Sequence, residues 1–169
     1  MKRSAGILLW RRSSSGDIEV LLAHPGGPFF AKKDDAHWSI PKGECDPGED
    51  ELAAACREFT EELGIPVPPG EPVSLGEVKQ GSSKVNVIWA LEADPGPFEL
   101  QSNHFDLEWP PRSGKRAEFP EVDRVAWYPL DVAEGKLFGS QRPFLAQLAV
   151  IAAKRQTGTE VDAFGRPSR

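Results

Sequence analysis

The chain contains very little cysteine, and it contains few of several other residue types. Its 169 residues include two cysteines, one methionine and one tyrosine. Cys45 and Cys56 are too few for a disulfide-stapled secreted fold, and a structural zinc site usually takes four Cys or His ligands grouped in short pairs. The composition therefore favours a reducing compartment, and we expect a cytoplasmic protein.

Long hydrophobic segments are also missing. The apolar run near the start covers only residues 7–10 and is followed by Arg11 and Arg12. A secretory signal needs about 7–15 apolar residues, and a membrane span needs about 20. We therefore expect a buried strand here and no association with a membrane.

The chain lacks an excess of positive charge. It has 20 basic and 26 acidic side chains and a net charge of −6, which disfavours a protein that coats nucleic acid. Residues 44–62 hold eight acids and one base, a net charge of −7, so the other 150 residues sum to +1. The acidity of the chain is therefore concentrated in one segment.

The hydrophobic patterns predict a mixed order of strands and helices. We expect a hairpin from residues 7–10 and 18–23, and further strands at 73–78, 85–93 and 122–128. One helix is predicted at 52–63 and another after an N-cap at Ser140. The predicted fold class is α/β or α+β with a mixed sheet, in a single domain at 1–155 followed by a polar tail at 156–169.

The acidic segment places three carboxylates together on the predicted helix. Glu58, Glu61 and Glu62 fall at i, i+3 and i+4, away from an apolar stripe on the opposite side. Like charges at these spacings destabilise a helix, and anions near its C-terminal end oppose the helix dipole. A bound divalent cation reverses the sign of this arrangement, because carboxylates are hard oxygen ligands suited to Mg²⁺ or Mn²⁺.

The spacing of the segment is more specific than its charge. Gly43 is followed by five residues and Glu49, and seven more residues lead to the run R-E-F-T-E-E-L-G-I at residues 57–65. This pattern resembles the Nudix box, G-x5-E-x7-R-E-U-x-E-E-x-G-U, where U is bulky and apolar, and it matches all nine specified positions. The chain thus resembles the Nudix hydrolases over residues 43–65, which implies an α/β/α sandwich around a central mixed sheet.

The resemblance implies a role for each residue of the box. Glu58 and Glu62 are the expected metal ligands, Glu61 is either a ligand or the general base, and a backbone carbonyl near Gly43 is a further ligand. Arg57 is expected to pair with Glu49 and to fix the helix against the preceding loop. The implied reaction is attack by a metal-activated water on phosphorus in a diphosphate linkage, with Mg²⁺ as cofactor and Mn²⁺ as an alternative.

Segments outside the box bear on the substrate. Trp38 and Lys42 belong to a W-x-x-P-K-G run that resembles diadenosine polyphosphate hydrolases and diphosphoinositol polyphosphate hydrolases. Residues 120–130 resemble a downstream segment of the former group, in which an acid completes the metal site or acts as base. Glu121 is the favoured match, ahead of Glu118 and Glu108. Further candidates to bind polyphosphate are Lys32, Lys33, Lys84, Arg112, Lys115 and Arg116.

The favoured hypothesis is a pyrophosphohydrolase for a nucleoside polyphosphate, in particular a dinucleoside polyphosphate such as diadenosine tetraphosphate. The alternatives are a 5′-end RNA pyrophosphohydrolase, a diphosphoinositol polyphosphate hydrolase and a non-catalytic ligand-sensing domain. A tyrosine found downstream of the box in several diadenosine polyphosphate hydrolases is missing, since the only tyrosine is Tyr128. The long Pro-rich stretch 94–120 is expected to fold over the active site or to form a homodimer contact.

Overall fold

A computed structural model describes residues 1–158, which form eight strands and three α-helices. The strands are β1 (Lys2–Arg12), β2 (Ile18–Pro25), β3 (Lys42–Glu44), β4 (Val73–Gln80), β5 (Lys84–Glu92), β6 (His104–Glu108), β7 (Arg116–Pro120) and β8 (Val122–Pro129). The helices are α1 (Glu51–Leu63), α2 (Leu130–Lys136) and α3 (Pro143–Gly158), and a short 3₁₀ helix, Gly139–Gln141, precedes α3. Within residues 1–158, no helix combines the length and the hydropathy that a bilayer crossing needs.

The central sheet has six strands and is mixed, as the sequence predicted. Five strands follow the order β4-β5-β1-β2-β8, in which only β1 and β5 run parallel. Strand β5 occupies one edge of β1, so both remaining partners share the other edge. Strand β3 pairs there with Ser4, Ala5 and Gly6, whereas β2 pairs with β1 from Trp10 onward. Between the two partners, Ser39 of the segment before β3 exchanges two backbone hydrogen bonds with Ala23 of β2.

Alternation along β1 divides the core between the two faces of the sheet. Ile7 and Leu9 pack with Phe59 and Leu63 of α1 on one face. Leu8 and Trp10 point to the other face, where the core includes apolar side chains of α2 and α3 such as Phe144 and Leu148. Helices therefore cover both faces, which confirms the predicted sandwich.

Three local features differ from the sequence-based expectations. Ser140 does not cap the last helix, because it lies within the 3₁₀ helix and α3 begins at Pro143. The stretch 94–120 contains a separate hairpin, β6 and β7, whose residues alternate between apolar and polar types, a strand signal that the interpretation of this stretch as a Pro-rich loop missed. Helix α3 runs to Gly158, so the first residues of the predicted tail are helical, and residues 159–169 lie outside the described part.

Candidate active site

Helix α1 has clear sequence signals at both ends. Asp50 is the N-cap, and its Oδ2 accepts a hydrogen bond from Ala53 N at 3.0 Å. Gly64 ends the helix at φ 77°, a left-handed conformation that glycine reaches without a steric penalty, and its N–H donates to Thr60 O. The two caps therefore fix where the helix begins and ends, and with it the position of the acidic residues along the helix.

Arg57 connects the helix to the loop that precedes it. Its Nε and Nη2 donate to the two carboxylate oxygens of Glu49 at 2.9 and 2.8 Å. Nη1 donates to Glu58 at 2.8 Å and to both oxygens of Glu61 at 3.3 Å. The two-pronged ion pair with Glu49 lowers the pKa of that carboxyl to about 2. The contact expected between Arg57 and Glu49 is therefore present, while its part in catalysis stays a prediction.

Gly43 lies directly against the carboxylate of Glu58. A Cβ at this position would overlap the carboxylate carbon and both of its oxygens, so only glycine allows the approach. The side chain of Glu58 is 12% exposed, and its burial raises the pKa of the carboxyl in spite of Arg57. The backbone of β3 and a carboxylate of α1 thus meet with no side chain between them.

Glu62 is the most deeply buried acid of the box. Its Oε2 accepts a hydrogen bond from Lys42 N at 3.3 Å. Burial raises the pKa of Glu62 to about 8, against the opposing charge of Lys42. Burial likewise lowers the pKa of Lys42 to about 8, and the nearby ammonium of Lys84 acts in the same direction. The sequence offered Lys84 only as one of several candidate cations, and the fold places it beside Lys42.

Glu121 reaches the same region from a different part of the chain. Its N–H donates to Asn103 O at 2.8 Å, and Asn103 N donates to Glu61 O at 2.9 Å, so two backbone bonds join it to α1. Burial raises the pKa of Glu121, and Glu61 acts in the same direction. The alternatives Glu118 and Glu108 lie on the exposed hairpin. The structure therefore brings Glu121 to the box, although its role stays a prediction.

A cleft of about 190 Å³ opens where β2 and β3 diverge. Its lining includes the charged residues Lys42, Glu62 and Glu121 and the aromatic residues Phe30 and Phe138. The two rings meet edge to face, with centroids 6.4 Å apart. The charged residues predicted at the site and an aromatic wall, formed by Phe30 and Phe138, therefore line the same cavity.

Trp38 does not fit the substrate-binding role that the sequence suggested. It is 2% exposed and packs in the core between the ring of His24 and that of Tyr128. Its Nε1 donates to Asp34 at 2.8 Å, so its one polar atom is also engaged. A nucleobase has almost no indole surface to stack on, because the ring is buried and the guanidinium of Arg124 lies over it.

Sequence reasoning missed two residues that shape the cleft. Phe138 reaches the cavity because Leu137 pairs with Trp38 as an isolated bridge, which connects segments about a hundred positions apart. Gln141 is buried, and its Oε1 accepts from Ile40 N at 2.8 Å while its Nε2 donates to Ser39 Oγ at 3.0 Å. The sequence carries no signal for either role, since both depend on a long-range contact.

The carboxylates do not form a compact ligand set around one point. Within residues 1–158, no three His, Cys, Asp or Glu side chains come together as a group that could hold a metal ion. The carboxylates of Glu58 and Glu61 instead bind the guanidinium of Arg57. Three carboxylates sharing one ion, as the sequence predicted, therefore require a rearrangement of these side chains.

The NUDIX domain family model matches residues 1–148. The chain belongs to the Nudix family. It is 43% identical over 153 residues to a bis(5′-nucleosyl)-tetraphosphatase (asymmetrical) of Caenorhabditis elegans, in an alignment covering 85% of this chain and 96% of that protein. It is 32% identical over 147 residues to an 8-oxo-(d)GTP phosphatase of Mycolicibacterium smegmatis, covering 80% of this chain but only 37% of that protein. Family and relatives together support a pyrophosphohydrolase.

Solved structures agree on the Nudix fold. An Ap4A hydrolase binary complex from C. elegans superposes with a TM-score of 0.64 at 24% identity, over 90% of this chain and 98% of that chain. The NUDIX domain of Shewanella oneidensis NrtR, solved with ADP ribose, gives a TM-score of 0.55 at 17% identity, over 92% of this chain and 87% of that chain. At these identities the likeness establishes the architecture alone.

Proposed function

We propose that the protein is an Mg²⁺-dependent pyrophosphohydrolase that cleaves a diphosphate linkage in a dinucleoside polyphosphate such as diadenosine tetraphosphate. The observation that carries this proposal is the cleft, in which Glu62, Glu121 and Lys42 face an aromatic wall. The relative with 43% identity, a bis(5′-nucleosyl)-tetraphosphatase, supports the choice of substrate class.

The residues of the box suit a hard divalent cation. The carboxylates of Glu58, Glu61 and Glu62 and a carbonyl near Gly43 would hold it, and the missing side chain of Gly43 leaves the backbone open toward Glu58. Burial raises the pKa values of Glu58 and Glu62, and neighbouring carboxylates act in the same direction, against the charges of Arg57 and Lys42. When bound, Mg²⁺, or Mn²⁺ in its place, would polarise phosphoryl oxygens and lower the pKa of water.

Other residues of the chain would bind the phosphate, hold the helix in place and accept the proton. The ammonium of Lys42 is placed to bind a phosphate beside Glu62, and Arg57 with Glu49 holds α1 against the loop. The proton of the attacking water would pass to Glu121 or Glu61. Burial raises the pKa of Glu121, which brings this carboxyl closer to neutral pH and improves it as a general base.

A panel of substrates tests the proposal. Products would be measured from diadenosine tetraphosphate, 8-oxo-dGTP, a 5′-triphosphate RNA, ADP-ribose and a diphosphoinositol polyphosphate, each with Mg²⁺ and with EDTA. We expect the highest kcat/KM on diadenosine tetraphosphate, and loss of turnover with EDTA. Metal-dependent turnover confined to another substrate would contradict the substrate class, and no turnover on any would favour a ligand-sensing domain.

A further inference from the structure

Two aromatic side chains meet next to the cleft but have no part in the site described above. Phe29 is 59% exposed and directly precedes Phe30, whose ring lines the cleft. Trp109 follows the last residue of β6 and meets Phe29 edge to face, with centroids 5.4 Å apart and the planes at 82°. An edge-to-face contact occupies only one edge of a ring, so the Phe29 ring keeps surface that is open to solvent.

The segment after Trp109 carries three positive side chains, one of which, Arg116, lies opposite Glu108 in the strand register without forming an ion pair with it. Arg112, Lys115 and Arg116 are exposed, and in the part of the chain that the structure describes none of their side chains forms an ion pair. The hairpin also carries the acids Asp106, Glu108 and Glu118, which lie on its strands. Unpaired cations beside exposed rings are the usual means of binding a nucleobase and its phosphate together.

The hairpin is fixed to the active site by close backbone contacts. Gly26 N donates to Glu121 O at 2.9 Å, and a Cβ on Gly26 would overlap the carbonyl of Pro120. A Cβ on Gly27 would lie only 2.9 Å from the ring of Phe105. The base of the hairpin therefore rests on the loop that presents Phe29 and Phe30. This packing fixes the aromatic pair relative to Glu121.

We propose that Phe29 and Trp109, with Arg112, Lys115 and Arg116, form a rim platform that binds the second nucleobase of the substrate and the phosphate next to it. This inference rests on the proposed function, since a dinucleoside polyphosphate carries a base at each end. The cleft supplies one aromatic wall, through Phe30 and Phe138, and the rim platform supplies another outside it. The platform would thereby favour substrates with two bases over those with one.

The test compares diadenosine tetraphosphate with adenosine 5′-tetraphosphate, which has the same phosphate chain and a single base. We expect Phe29→Ala to lower the ratio of their kcat/KM values about fivefold or more, because one base–aromatic stack is lost. The double variant Lys115→Gln with Arg116→Gln should lower the same ratio, with an effect that shrinks as salt is added. The matched controls, Val132→Ala and Lys79→Gln, change exposed residues away from the hairpin and should leave the ratio as in the wild type.

Each other result would overturn a defined part of the inference. If Phe29→Ala leaves the ratio of the two kcat/KM values unchanged, the rim platform is refuted. The proposed function is still supported in that case, provided that the wild type cleaves diadenosine tetraphosphate. If the wild type cleaves neither tetraphosphate, both the proposed function and the rim platform are refuted. A third measurement uses a 5′-triphosphate oligoribonucleotide as substrate for the wild type and both platform variants. If the variants lose kcat/KM on this substrate alone, the platform does not bind a dinucleotide.

Discussion

Arg57 shows why the charge of single residues has to be considered within the fold. It is the only base among the acids of residues 44–62, and its guanidinium lies within 4 Å of four carboxylates, those of Asp46, Glu49, Glu58 and Glu61. The ion pair with Glu49 is bidentate, and it is the largest cause of the lowered pKa of Glu49. Glu49 is therefore the residue at which this network should be sensitive to pH.

We expect Glu49→Gln to alter stability in a pH-dependent way. The native pKa of Glu49 is about 2, below its ordinary value of 4.5, so its stabilising effect is complete above about pH 5 and is lost as the pH falls toward 2. The difference in Tm between wild type and variant should therefore be largest near pH 6 and should shrink at pH 3. Glu99→Gln, at an exposed position, serves as the control, and a difference independent of pH would contradict the argument.

Glu62 gives a second prediction for a single residue. Glu62→Gln replaces a buried carboxyl whose ionised form is disfavoured by burial and by Glu58 and Glu121, so the Tm without added metal should stay unchanged or rise. The same change should lower kcat by about 100-fold or more, because a ligand of the proposed cation is lost. Steady-state kinetics and thermal melting check both effects, with Glu71→Gln as the control, and full activity would refute the assignment.

At the scale of elements, the β6–β7 hairpin and the loop after β2 position Glu121. Asn103 at one end of the hairpin connects Glu121 to the backbone of α1, and Gly26 connects it to the loop. These are backbone contacts, which the side-chain pattern of the hairpin does not encode. The long stretch 94–120 is thus a structured element at the site, and its contribution to a dimer stays a prediction.

Gly26→Ala should disturb this junction. A Cβ on Gly26 would overlap the carbonyl oxygen of Pro120, and a backbone atom of a strand cannot move aside easily. We expect a loss of about 1–3 kcal/mol in the free energy of unfolding, together with a lower kcat as Glu121 shifts. Denaturant unfolding and kinetics measure these effects. Gly139→Ala meets no atom within 4 Å and should change neither quantity, so equal effects in the two variants would count against the junction.

At the scale of the whole molecule, the charge distribution separates the site from the scaffold. The acidic segment carries −7 and the rest of the chain sums to +1, so the cation proposed for the box would partly neutralise the only strongly acidic region. The fold places Lys42 of β3 beside Glu62, and it places Lys84 of β5 beside Lys42. The carboxylates of Glu62 and Glu121 and the ammonium of Lys42 therefore line one cleft. A polyphosphate would bind the ammonium, and its cation would bind the carboxylates.

Binding of Mg²⁺ should stabilise the whole protein. A cation that binds only the folded chain raises the free energy of unfolding by about 2.7 kcal/mol at 100 times its Kd, which corresponds to a Tm increase of several degrees. Thermal melting with MgCl₂, against NaCl at equal ionic strength, measures this increase. The double variant Glu58→Gln with Glu62→Gln should abolish it, and an equal increase in wild type and variant would place the cation elsewhere.

The sequence predicted those parts of the fold that depend on local patterns. The strands near both ends, the length of α1 and its glycine C-terminus follow from hydrophobic periodicity and from turn chemistry, and the structure confirms them. The β6–β7 hairpin was not predicted, because its two five-residue strands are short and lie within a Pro-rich stretch, although their residues alternate between apolar and polar types. Trp38 was predicted at the site and lies in the core, since sequence alone cannot tell a buried indole from one that binds substrate.

The sequence by itself determined the family, the acidic helix and the pairing of Arg57 with Glu49, because these depend on spacings within one continuous segment. Only the tertiary structure decided which distant residues join that segment. Glu121, Phe138 and Lys84 reach the site through strand pairing and backbone hydrogen bonds, which bring together positions far apart along the chain. The tertiary structure also showed that Arg57 binds Glu58 and Glu61, because the contacts of a side chain depend on its final surroundings.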